Sequence, residues 1–469
     1  MKCQSGSHAP RLLYLGFAFP PGVQALYPGS NPAGHALETR MVAQLRQHFE
    51  IRSAGILPLA PPRVEWADPE SGIEHDLILT EKPPELLHRA RSLWRLKARY
   101  RCWQAEGWEP DLVLVYNLSP IYNQFLLWLQ RQRPCPKLVL LLLDSTTLGQ
   151  SIPRFTALRR RFKPMHIPDA AMLGVFDACI GLSHSVGKYF RSGQVPFLWM
   201  PGGCTPTRAL PMLGDDGDSK DPIRFGYFGA LGPHSGVEPL AEAVVASQVP
   251  ASLEICGYGK MDEHLRSIAS RHPRLRYHGL ISPAECLRFG RSCDVLVNPR
   301  PASHGNENNF ASKLFEYALT GRAILTSNLS GVEAVLGPEA YYFDPRHFAF
   351  SLSARLATLA ATPRAELNRR GAAIQRRILT EFSWERQGVR IAQFLHRICA
   401  DGQTEMGRVP APASELAPMP AAATCRAKVT AWDSEPPCAV PARTAIRNGG
   451  CTASASENAE KNPLSVEAG

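Results

Sequence analysis

No stretch of the 469-residue sequence is apolar for long enough to cross a bilayer. The longest apolar run, in "KLVLLLLD", covers residues 138–143, whereas a spanning helix needs about 20 residues. The opening residues, MKCQSGSHAPRLLYLGFAFPPG, carry one early lysine, and their apolar run ends in Pro-Pro-Gly without a small-residue cleavage site. They read as a first β-strand and not as a signal peptide. Metal-ligand spacing is also missing. The 12 cysteines include no C-x-x-C pair and no His/Cys cluster, the pattern of scattered buried thiols in a reducing compartment. The acidic cluster "DDGD", from Asp215 to Asp218, falls in a stretch rich in Gly, Pro and Asp, where a solvated turn accounts for it better than a metal site. These absences predict a cytosolic protein without a transmembrane segment and without a metal.

What is present points to a large α/β protein. The chain is too long for one ordinary core, so more than one domain is expected, and a hydrophobic share of 44% supports globular cores. Strand-like runs alternate with helical sequence up to about residue 400: "RLLYLGF", "DLVLVYN", "KLVLLLLD", "ACIGLS" and "PFLWMP", then "IRFGYFG", "SLEICGYG", "RLRYHGL", "DVLVNPR", "AILTSN" and "AYYFD". Such alternation indicates parallel sheets covered by helices on both faces. The boundaries drawn from it are a first Rossmann-like domain over 1–201, a linker over 202–222, a second such domain over 223–375, a terminal helix over 376–402 and a disordered tail over 403–469. The tail is dominated by Ala, Pro, Ser and Thr, which cannot supply a core. In "SPAECLRF", Ser282 as N-cap, Pro283 at the first helical position and Glu285 closing a capping box sign one helix start.

A net charge of +10 calls for an acidic partner. Basic residues gather in "LHRARSLWRLKARYRCW", where His88, Arg91, Arg95 and Arg99 fall near one helix face and Leu86, Leu87, Ala90, Leu93 and Trp94 on another. A helix lying on an anionic membrane surface would look like this. So would an ordinary solvated charged helix. Residues 159–161, three arginines, are a weaker cluster of the same kind. Nucleic acid is not an expected partner, because no aromatic platform or known reading motif accompanies the charge.

The chemistry concentrates in "ENNFASKLFEYALTGRAILTS", residues 307–327. A strand, a polar loop and a helix starting near Ser312 follow one another there, and in parallel sheets ligands collect at such strand ends. Ser312 is placed to cap. The amides around Lys313 and Leu314 carry the positive end of the helix dipole, which suits phosphate. Lys313 adds a full charge. Glu316, near the same face, offers a carboxylate to two adjacent hydroxyls such as those of a ribose. A phosphate site beside a diol site describes a nucleotide. The same residues also describe a capped amphipathic helix with an intrahelical Lys/Glu pair.

The surrounding segments resemble the retaining GT-B glycosyltransferases of the glycosyl transferases group 1 family. The resemblance covers most of residues 10 to 400. It rests on "GYFGALGPHSGVEPLAEAV" as the strand, phosphate loop and following helix, then "EICGYGKMDEHL", "YHGLISPAECLRFGRSCDVLVNP" and "SKLFEYALTGRAILTSNLSGVEAVL" in the family's order and spacing. "NPAGHALETRMVAQL" looks like the first-domain glycine loop, "WMPGGC" like the strand end before the linker, and "FSWERQGVRI" like the helix that crosses back to the first domain.

The resemblance implies two Rossmann-like domains facing across a cleft, a nucleotide diphosphate sugar as donor and no cofactor. It makes Glu316 the second glutamate of the E-x7-E motif, which binds ribose, and puts Asn308 where the first glutamate stands, with Asn308 or Asn309 left to bond the donor sugar. The phosphate loop, which includes Gly229, departs from the family: its paired Arg and Lys fall on Ala230 and Ser235. Lys313, Arg300 and His234 are the replacements at hand, Lys313 foremost. Gly34 and His35 would approach the phosphates and the reacting sugar, Leu280 or Ile281 the base. Asp144 stands near where many members have a histidine, or else caps the "DSTT" turn. The expected activity is transfer of a hexose-type sugar, with retention and without a metal, to a lipid-linked or polysaccharide-precursor acceptor at a membrane surface. The alternatives are a non-catalytic GT-B module and a nucleotide-sugar epimerase.

Overall fold

The computed structural model describes residues 9–16, 18, 32–57, 64–67, 74–79, 85–143, 172–191, 195–211, 221–329 and 331–401. Asp144, residues 159–161, the "DDGD" cluster and the tail lie outside them. The first half runs β1 (Arg11–Leu15), α1 (Pro32–Leu45), β2 (Glu50–Leu57), β3 (Val64–Ala67), β4 (Glu74–Leu79), α2 (Glu85–Ala105), β5 (Leu112–Tyr116), α3 (Pro120–Leu129), β6 (Lys137–Leu142), β7 (Ala178–Gly181), α4 (His184–Arg191) and β8 (Phe197–Trp199). Its sheet has the order β3-β4-β2-β1-β5-β6-β7-β8. All neighbours are parallel except β3, which runs antiparallel to β4 at the edge. The Leu/Val runs of β1, β5 and β6 are buried almost throughout, as strands covered on both faces must be.

The second half runs β9 (Ile223–Ala230), α5 (Val237–Ala246), β10 (Ala251–Tyr258), α6 (Asp262–Ala269), β11 (Leu275–Tyr277), α7 (Pro283–Ser292), β12 (Val295–Asn298), α8 (His304–Glu307), α9 (Lys313–Leu319), β13 (Ala323–Ser327), α10 (Val332–Leu336), β14 (Tyr341–Phe343), α11 (Phe348–Ala360), α12 (Arg364–Glu381) and α13 (Trp384–Asp401). Its sheet, β11-β10-β9-β12-β13-β14, is parallel throughout. The chain builds outward from β9 to β11, then returns to lay β12 on the other side of β9. The loops after β9 and β12 therefore diverge, and the crevice between them is where doubly wound sheets bind ligands. The capping box of α7 is formed as expected, with the Glu285 amide donating to Ser282 Oγ at 3.3 Å and the Ser282 amide to Glu285 Oε2 at 2.9 Å.

Two boundaries differ from the sequence reading. The described parts of the linker, residues 202–211 and 221–222, are docked on the second half. The Cys204 amide donates to Phe382 O at 2.8 Å, and the Leu210 amide to Leu319 O at 3.0 Å. The terminal helix also starts later than 376, because α12 continues to Glu381 and the break falls at residues 382–383. Helix α13 packs back against α1, where Phe49 stacks on His396 at 4.6 Å.

The basic helix α2 is present, but its buried stripe is Ser92, Leu96, Tyr100 and Trp103. Ala90, Arg91, Trp94 and Arg95 are exposed together, so Trp94 stands among the arginines and not on a separate apolar face. Arg99 is folded onto the Trp103 ring at 5.3 Å and lies 3.8 Å from Glu106, which removes it from the basic face. Among the described residues, no helix is long and apolar enough to cross a membrane.

Candidate functional site

The crevice between the loops after β9 and β12 is closed from below by Tyr317 of α9. Its hydroxyl donates to Phe228 O at 3.0 Å and accepts the Phe228 amide at 3.2 Å, pinning α9 to the end of β9. Lys313, one turn earlier, reaches the same strand. Its Nζ donates to the Tyr227 hydroxyl at 2.6 Å and sits 4.1 Å from the ring centroid, while the Tyr227 hydroxyl donates onward to Ala230 O at 2.7 Å. Lys313 thus extends across the α9/β9 gap to Tyr227 and forms no intrahelical pair with Glu316.

Glycine at 229 is what allows this approach. Its φ is +148°, and a side-chain carbon there would come within 2.9 Å of Lys313 Nζ. Ser235, at the other expected cation position, is buried and donates to Gly232 O at 2.6 Å. The loop positions that lack cations are engaged in shaping the loop, and a cation reaches it from the neighbouring helix.

Two more basic groups share the crevice. Arg300 Nη1 donates to Asn309 O at 3.3 Å. His234 is exposed on the loop after β9, and its carbonyl accepts Asn306 Nδ2 at 3.1 Å. Burial, then the Arg300 charge, holds Lys313 well below the ordinary lysine value. Burial followed by Arg300 and Lys313 lowers His234, and burial lowers Arg300. Among the described residues no carboxylate pairs with Arg300, Lys313 or His234. Three basic groups therefore gather at this crevice, with Arg300 disfavouring the charge on Lys313 and His234, an arrangement that an incoming anion would relieve.

The expected capping role of Ser312 is corrected. Ser312 has helical dihedrals, φ −55° and ψ −29°, and makes no capping bond through its side chain. The Leu314 and Phe315 amides donate to Ala311 O at 3.0 Å and to Ser312 O at 3.1 Å. A tight turn feeds α9 and uses the Leu314 amide, while Lys313 brings a side-chain basic group to the site.

Glu316 is fully buried and lies 3.2 Å from Nη1 of Arg208, a residue of the docked linker that nothing in the sequence marks. Asn308 is buried and accepts Ser185 Oγ at 2.6 Å, with its Nδ2 3.0 Å from His304 Nε2. Ser183 Oγ donates to Glu307 O at 3.1 Å, and Ser185 Oγ lies 3.1 Å from the same oxygen. The seam between α4 of the first half and α8 of the second thus runs through Asn308. Leu280, exposed, and Ile281, half-buried, follow β11 on the far side of the same sheet edge. Gly34 and His35 lie inside the first turns of α1 and not in a loop, with His35 buried. Among the described residues no three His, Cys, Asp or Glu side chains gather as a metal site.

Residues 222–361 match the model of the family described as glycosyl transferases group 1. The second-half domain is thus similar to the group 1 glycosyltransferases. This domain begins at β9 and runs past α11, so Gly229, Arg300, Lys313 and Glu316 all lie within it. The overall fold is GT-B. Sucrose-phosphate synthase from Thermosynechococcus elongatus superposes with a TM-score of 0.59 at 14% identity, over 83% of this chain and 100% of that one. An α,α-trehalose-phosphate synthase (UDP-forming) from Burkholderia vietnamiensis gives 0.58 at 14%, over 84% and 100%. Anabaena HepE in complex with UDP and glucose gives 0.56 at 15%, over 83% and 100%. No curated protein matches the sequence significantly.

Proposed function

We propose that the protein transfers a sugar from a nucleotide diphosphate sugar to a hydroxyl of a lipid-linked or polysaccharide-precursor acceptor, with retention of configuration. The observation that carries this reading is the convergence of Arg300, Lys313 and His234 at the β9/β12 crevice with no paired carboxylate among the described residues, on a domain similar to the group 1 family. The donor diphosphate would rest against Lys313 and Arg300, with Gly229 allowing close approach and Glu316 accepting from the ribose. Leu280 and Ile281 would face the base through their backbone, and Asn308 and Asn309 the sugar. HepE in complex with UDP and glucose, and a synthase named as UDP-forming, support a nucleotide sugar as donor.

In the reaction, the bond from the anomeric carbon to the diphosphate oxygen breaks. The acceptor oxygen bonds to that carbon from the same face, and its proton passes to the departing diphosphate. Such a path needs no protein base and no metal. His35 and Asp144 are assigned to the reacting sugar and acceptor, and Gly34 to the phosphates. Charge gathering on the diphosphate is what Lys313 and Arg300 would stabilise, and loss of one such donor typically costs about 3 kcal/mol in the transition state.

Calorimetric titration of UDP, GDP, ADP and their common sugars tests the donor assignment. One nucleotide should bind, and Glu316→Ala should weaken it by about tenfold or more. Binding of none of them would favour the second reading, a non-catalytic GT-B module, which Ala230 and Ser235 in place of the loop cations support. We place the protein at an anionic membrane surface through Arg91, Trp94 and Arg95 of α2. Arg91→Gln with Arg95→Gln should release it from anionic vesicles at low salt, and unchanged binding would refute that placement.

A further inference from the structure

A cavity of about 590 Å³ opens at the carboxyl ends of β13 and β14, beyond the basic cluster on the side away from Leu280 and Ile281. Ser185 and Lys188 of α4 form one wall, and Glu307, Asn328, Asp344 and Arg346 contribute to the others. Ser185 and Glu307 are also the seam residues beside Asn308, so the cavity borders Asn308. Along the sheet edge the order is therefore Leu280 after β11, Gly229 after β9, Arg300 and Lys313 after β12, and last the cavity after β13 and β14. A donor laid base-first along that row brings its sugar to Asn308. The group that lies past the sugar then falls in the cavity.

The lining identifies the occupant. Lys188 and Arg346 make no ion pair among the described residues and offer donors, whereas Asp344 is held in its own turn by the Arg346 amide at 2.9 Å and by His347 Nδ1 at 2.8 Å. Glu307 and Asp344 cancel the two positive charges formally. A phosphate or diphosphate would meet both carboxylates, while a ring of hydroxyls can donate to the acids and accept from Lys188, Arg346 and the Asn328 side-chain NH2. The volume lies within the range of small-molecule sites and exceeds what one hexose fills.

We propose that this cavity is the acceptor subsite and that it takes a neutral glycan of more than one sugar unit. The assignment rests on the donor reading above. Saturation-transfer NMR on the full chain, with and without UDP, tests it using maltotriose, cellotriose and mannotriose as neutral probes and glucose 1-phosphate as an anionic one. At least one trisaccharide should receive saturation from the wild type. Asn328→Trp, which fills the mouth, and separately Arg346→Ala, should each weaken it by about tenfold, with UDP affinity unchanged. No transfer to any trisaccharide, equal transfer in both variants, or a preference for glucose 1-phosphate would overturn the proposal. If UDP does not bind the wild type, the donor reading fails by itself. A trisaccharide that still binds would then mark a glycan site but not an acceptor subsite.

Discussion

Arg208 and Glu316 meet from two distant parts of the chain, and their pairing holds a buried carboxylate in place. Taking one partner out of a buried ion pair typically costs about 3–5 kcal/mol. With the Arg208 side chain 23% exposed, Arg208→Leu should fall toward the lower end in urea denaturation. The double variant Arg208→Leu with Glu316→Gln should recover much of the loss, because no charge is then left in the interior. Lys313 behaves in the opposite sense. Since its value is lowered in the folded protein, the unfolded chain holds the proton that the folded one releases, and stability falls as pH drops below the ordinary lysine value. Wild type should therefore gain stability relative to Lys313→Met as pH rises from about 7 to 10, in thermal denaturation. The same variant should be no less stable than wild type at neutral pH, yet bind the nucleotide about tenfold more weakly.

Elements were legible to different degrees, for physical reasons. The buried strands β1, β5, β6, β12 and β13 announce themselves as apolar runs, because both of their faces are covered. β2, "EIRSAGIL", mixes Arg52 and Ser53 into its length, and the edge pair β3 and β4 is short and charged. None of these three gives that signal. The box at Ser282 was readable because both bonds are local. Ser282→Ala should cost about 1 kcal/mol in denaturant unfolding and leave nucleotide affinity unchanged. Ser312 has the same residue type in the same apparent position without capping. The tight turn from Ala311 sets its dihedrals, and that turn follows from how Tyr317 fixes α9 to β9.

At the scale of the whole molecule, α13 crosses back to α1, where Gly388 lies so close to Gln44 that a side-chain carbon would collide with it. Gly388→Val should cost about 1–3 kcal/mol by overpacking, in a melt followed by circular dichroism. The sequence by itself determined the class of fold and the second sheet strand by strand, and it singled out Lys313, Arg300 and Glu316 as candidates. Alternation, strand length and a resemblance carried by short segments are all properties of neighbours in the chain. It did not determine that Lys313 would reach Tyr227, that Arg208 would meet Glu316, that Arg99 would turn away from the basic face of α2, or that α4 would complete a cavity with β13 and β14. Those outcomes rest on contacts between residues far apart in the chain, and only packing the helices onto the two sheets decides which side chains share a space.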